Sequence, residues 1–150
     1  MTAEVSASSS QTWLVWALLS AVFAALTAIF AKIGLEGVDS DYATLVRTAV
    51  IIVVLGLFVV ISGKWQSPGA LTSKSGLFLV LSALATGASW VCYFRALKIG
   101  AASRVAPVDK LSVVLVAVFA VIVLGERPSA RDWLGITSVA IGAFLLSLKR

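Results

Sequence analysis

The apolar residues of this chain gather into five long runs, at 13–31, 43–62, 76–97, 105–125 and 133–148, separated by short polar connections. About 20 residues at 1.5 Å per residue reach roughly 30 Å, the thickness of a bilayer's hydrocarbon core. Each run therefore predicts one membrane-spanning helix, and the predicted fold is all-α and integral to a membrane. Residues 1–12, rich in Ser, Ala and Thr with Glu4 and no Lys or Arg, read as a disordered, uncleaved tail. A secretory signal opens on basic residues, and the first here is Lys32.

The run at 105–125 tests this reading hardest, because it carries Asp109 and Lys110. Without them its uncharged remainder is about 15 residues, too short to span. An acid and a base are therefore expected inside a span. Pro107 suits only a first helical turn; farther in, it frees a carbonyl and kinks the helix. Neighbours on a continuous helix point about 100° apart, so Asp109 and Lys110 are not expected to pair with each other. Lys110 can snorkel toward the Arg104 end, which the shorter Asp109 cannot do. Asp109 is then either an interfacial group favoured by the helix dipole or a functional intramembrane carboxylate. Gly125 and Glu126 form the motif that ends this helix.

The other runs add fewer polar groups. Trp13 and Trp16 are placed as interfacial anchors, and Ala17, Ala21, Ala24 and Ala28 make a stripe for close helix packing or for a substrate-facing wall. Arg47, about one turn into the second run, either snorkels to the surface or faces a cavity. On the third run, Trp90, Tyr93 and Leu97 share a face, while Arg95 points roughly 200° away from Tyr93. That cluster is either an interfacial aromatic belt anchored by Arg95 or part of a solute path. Cys92 reads as a small buried residue, and Gly100 as a helix terminator. The fifth run has Gly135, Gly142 and Ala143 as packing residues and stops at Lys149-Arg150.

Composition supports the membrane assignment: 60% of residues are hydrophobic and 13% charged, against about 45–50% and 25% in soluble domains. One cysteine and no histidine exclude an internal disulfide and leave little for zinc or haem. The net charge of +5 is spread singly, which suits loop ends and anionic headgroups rather than nucleic acid. No phosphate-binding loop and no histidine-activated serine appear, and Asp109 and Glu126 are slender material for an enzyme. No cofactor is expected.

Five spans put the termini on opposite faces. The N-terminal face holds Lys64, Lys74, Arg127 and Arg131, and the other face holds Lys32, Lys98, Arg104, Lys149 and Arg150. A bias this shallow places the C-terminus in the cytoplasm if orientation is single, and permits both orientations. Two copies running opposite ways would form an inverted pair.

The order of features resembles the EamA domain of the drug/metabolite transporter superfamily. The segment YFRALKIG ends the third run, ASRVAPVDKLSVVLVAVFAVIVLGERPS covers the fourth, and Asp132 to Ala143 match the family's closing helix. The resemblance spans nearly everything after the first dozen residues. It implies secondary transport of a small solute by alternating access, with four helices lining a path and the fifth supporting it. Most members carry two such domains. This chain carries one and looks like the five-helix bacterial and archaeal branch, which implies a homodimer in the cytoplasmic (inner) membrane. On that reading Trp90, Tyr93 and Arg95 offer stacking and an anion donor, and Asp109 and Lys110 hold a coupling proton or a charged solute group. The alternative is a non-transporting subunit that packs against another membrane protein.

Overall fold

The structure of the protein, a computed structural model, describes residues 2–148. The predicted basic stop at Lys149-Arg150 lies outside the described residues. The helices are α1 (Thr2–Gly34), α2 (Ser40–Ile61), α3 (Ser73–Ile99), α4 (Ala102–Asp109), α5 (Ser112–Phe119) and α6 (Ala130–Ser147). A short 3-10 turn at Pro68–Ala70 precedes α3, and a π turn at Ala120–Leu124 follows α5. Helical backbone continues through residues 2–11, the segment expected as a tail, before the apolar part of α1 begins at Thr12.

Side-chain caps set the starts of the later helices. Asp39 accepts hydrogen bonds from the backbone N–H groups of Asp41 (2.9 Å) and Tyr42 (3.0 Å), which starts α2 three residues ahead of the apolar run. Thr72 accepts from the Ser75 N–H at 3.2 Å and starts α3. Ser129 and Asp132 form a reciprocal capping box at the head of α6.

Thr12–Gly34, Ser40–Ile61, Ser73–Ile99 and Ala102–Leu124 are each long and apolar enough to cross a membrane. The helix of the fifth apolar run, α6, is shorter at 18 residues and carries Arg131 and Asp132 in its first turn. It packs against α4 and α5; α3 packs against α1, α2 and α4, and α1 also touches α4.

The fourth span is not one continuous helix. Pro107 falls beyond the first turn of α4, and α4 ends two residues later. The chain tightens there through 3-10-type bonds, from Lys110 N to the Pro107 carbonyl (3.1 Å) and from Leu111 N to the Val108 carbonyl (3.0 Å). At the far end the π turn closes on Gly125, whose φ of +70° is left-handed and suits glycine, and Glu126 N donates back to the Ala120 carbonyl at 3.1 Å.

Burial is unevenly spread along the bundle. The end that bears the 35–39 and 100–101 connections holds a cluster of Leu35, Phe94 and Leu97, with Ala31, Ala43, Tyr93, Ala102 and Val105 packed on it. Gly100 permits this tight end: a Cβ there would lie 2.7 Å from Val105 Cγ2 and 3.0 Å from the Ala96 carbonyl oxygen. Two lysines tie the same end crosswise. Lys32, on the last turn of α1, donates to the carbonyls of Leu97 (2.6 Å), in the last turn of α3, and Gly100 (2.9 Å), just past it. Lys98, on the last turn of α3, donates to the Leu35 and Val38 carbonyls past α1. Each cation thus satisfies the carbonyl-rich C-terminus of the other helix, where unpaired oxygens are costly in lipid. We call this the closed end.

Candidate functional site

Below the closed end, α1 to α4 enclose a cavity of about 340 Å³. From α1 come Ser20, Phe23, Ala24 and Thr27; from α2, Arg47; from α3, Ser89, Trp90, Tyr93 and Phe94. Asp109 and Lys110 reach it from the break after α4. Arg47 lies seven positions past Ser40 and Asp109 seven past Ala102, so both stand about 10 Å along their helices from the closed end. The cavity is thus inside the span and not at its rim.

Arg47 does not snorkel. Its guanidinium carbon lies 4.1 Å from the Trp90 ring centroid and 5.3 Å from that of Phe94. Its Nη1 is buried with no hydrogen-bond partner. A desolvated cation–π contact is worth about 2 kcal/mol, while an Arg at mid-helix costs about 2.5–3.5 kcal/mol to insert. The rings therefore offset much of the insertion cost and leave the unanswered donor unexplained by stability. The helices α1 to α4 line this cavity and α6 does not, though α6 residues Val139, Gly142, Ala143 and Leu146 border a neighbouring space of about 640 Å³ that Lys110 and Tyr93 share.

A four-helix wall with charged groups inside a span is an arrangement that can hold a solute. Residues 11–148 match the model of the EamA-like transporter family. This chain belongs to that family. A protein of Sinorhizobium sp. described as an "uncharacterized transporter in cobO 3'region" is 56% identical over 139 residues, which is 93% of this chain and 99% of that protein. No solved structure matches. With its apolar helices, this EamA-like chain is a multi-pass membrane protein and, at that general level, a transporter.

Of the residues singled out in the sequence, this EamA-like fold brings Arg47, Trp90, Tyr93, Asp109 and Lys110 to one cavity. Arg95 is not among them. It pairs outward with Asp41, Nε to Oδ1 at 2.9 Å and Nη2 to Oδ2 at 2.6 Å, with the two side chains 62% and 47% exposed. The roughly 200° between Arg95 and Tyr93 already separates them, and Asp41 on α2 supplies its partner. The expectation that Asp109 and Lys110 cannot pair is corrected: Lys110 Nζ lies 3.3 Å from Asp109 Oδ2. The 100° rule holds for a continuous helix, and here the helix ends between the two residues. Pro107 borders the 640 Å³ space, while Gly125 and Glu126 end the fourth span.

Phe94, part of the aromatic cluster at the end of the third run, also lines the cavity, as do Ser20, Phe23, Thr27 and Ser89, which escaped the sequence reading. The signal was present: Ser20, Ala24 and Thr27 recur at helical spacing on α1, as Ser89 and Tyr93 do on α3. The alanine stripe follows the same face. Ala24 lines the cavity, Ala17 and Ala21 border the neighbouring space, and Ala28 is buried. Cys92 is exposed, not buried, and borders a separate space of about 430 Å³ between α3, α4 and α6.

Proposed function

We propose that this chain moves a small solute across the bacterial or archaeal cytoplasmic membrane by alternating access, as a pair of copies, with Asp109 carrying a coupling proton. The cavity carries the reading: it brings two cations and a carboxylate together inside the span, beneath an end where Leu35, Phe94 and Leu97 pack together. At about 340 Å³ it sits at the small end of the range for ligand sites, which suits a metabolite. Separating α1 from α3 at the closed end would release the Lys32 and Lys98 caps. Pairing belongs to this reading because a second copy running the opposite way supplies a complementary half, as inverted repeats do within single-chain transporters.

Asp109 suits the proton role because its one ion-pair partner among the described residues is its own neighbour, Lys110. Protonation removes that pair and changes the charge beside any bound solute. The test is uptake into proteoliposomes of labelled small carboxylates, amines and neutral solutes under an imposed pH gradient. At least one class should accumulate above protein-free vesicles, and Asp109→Asn should lose the dependence on the gradient. No accumulation of any class, under gradients of either sign, would sink the transport reading. Pairing is read separately, by native mass from lipid nanodiscs, as roughly twice 15.7 kDa.

A further inference from the structure

The charges around the cavity do not balance. Arg47 and Lys110 face it, and Asp109 is its acid. That carboxylate already has Lys110 at 3.3 Å, and neither ion pair among the described residues involves Arg47. The acids at the start of α2 are engaged elsewhere, Asp41 by Arg95 and Asp39 by the backbone N–H groups it caps. One positive charge is therefore left over, and it belongs to the guanidinium held against Trp90 and Phe94. A guanidinium held against rings keeps its N–H donors, and its fork can receive a planar acceptor.

We infer that the cavity selects small organic anions, carboxylates foremost, with Arg47 as the anion receptor and Lys110 as the second cation. The inference rests on the transport reading and names its solute class. A cationic solute is disfavoured twice over. It meets the one uncompensated positive charge, and the Trp90 face that would attract an ammonium is already covered by Arg47. A neutral carbonyl solute can accept from the Nη1 donor but leaves the extra positive charge uncompensated, whereas a carboxylate answers both. Solute selection here also differs from the role first given to Arg95, whose fork is filled by Asp41 on the outer surface.

The test uses three probes of one shape and different charge: benzoate, benzamide and benzylamine. Trp90 lies directly under Arg47, so binding is followed by tryptophan emission of the purified wild-type protein, with Trp90→Phe identifying the part of the signal that comes from the cavity. Benzoate should bind about tenfold or more tightly than the other two. Arg47→Gln should abolish that preference, and Arg47→Lys, which keeps the charge but not the fork, should restore part of it. Equal binding of all three probes, or tighter binding of benzylamine, overturns the inference. So does an Arg47→Gln protein that elutes as the wild type does and keeps the benzoate preference. The wild-type series stands alone if a variant fails to fold. Failure of the two readings is distinguishable in proteoliposomes: uptake of amines with exclusion of carboxylates preserves transport and overturns anion selection. A benzoate preference in binding with no uptake of any solute preserves anion selection and overturns transport.

Discussion

At the closed end of the bundle Leu97 has no exposed surface, whereas toward the opposite end Leu57 and Leu79, on α2 and α3, are 58% and 57% exposed. The two regions are built from similar apolar residues, yet among the described residues the cluster of large buried side chains lies in the first. Between residues 49 and 61 of α2, and between 73 and 89 of α3, no residue is buried. The difference lies in the polar groups. The closed end brings two helix C-termini together with Lys32 and Lys98 in reach of both, and it has the Asp41–Arg95 pair on its flank. Lipid tails solvate leucine as well as another leucine does, so apolar content alone does not draw helices together in a bilayer. Polar groups that must be satisfied within the protein do. The cavity sits where the two regimes meet, beneath a firm end and above a loosely joined half.

The largest expected effect comes from cutting into the firm end. Leu97→Ala should cost about 2–5 kcal/mol, as truncation of fully buried leucines does, while Leu79→Ala should stay within about 0.5 kcal/mol. Unfolding of both in mixed micelles by SDS titration reads the contrast directly, and equal losses would erase the distinction between the two ends. Next comes Lys32→Met, which keeps much of the stem but leaves the Leu97 and Gly100 carbonyls unanswered. A loss of about 1–3 kcal/mol is expected by the same titration. A Lys32→Met protein as stable as the wild type would show that the crosswise caps do not hold α1 to α3. The smallest effect is expected from Asp41→Asn. Its partner Arg95 is solvent-facing and the pair is screened, so its contribution should be slight and should vanish as salt is raised. A large, salt-independent loss would place that pair among the supports of the closed end instead of on its flank.

The candidate site was partly legible before the fold was known. Arg47, Asp109 and Lys110 stand out because ionisable residues within apolar runs are costly and so invite a reason. Trp90 and Tyr93 stand out by their shared face. Arg95 was grouped with them by proximity in sequence, and helical geometry sends it to the opposite side. The Asp109–Lys110 contact was excluded on the assumption of an unbroken helix, although Pro107 already signalled a break. Ser20, Thr27 and Ser89 were invisible because small hydroxyl residues are ordinary in membrane helices and become a wall only when another helix faces them.

By itself the sequence determined that this chain is a set of apolar helical runs of about bilayer length and which few charges lie within them. Those properties are local: run length, capping residues, and the position of Pro107 and Gly125 act within a turn or two of the chain. What the tertiary structure alone decided is which charges meet. Lys32 finds the end of α3, Lys98 the end of α1, Arg95 finds Asp41, and Arg47 settles on Trp90 and Phe94. These partners lie more than 40 positions apart, and only the packing of α1, α2 and α3 side by side brings them within reach.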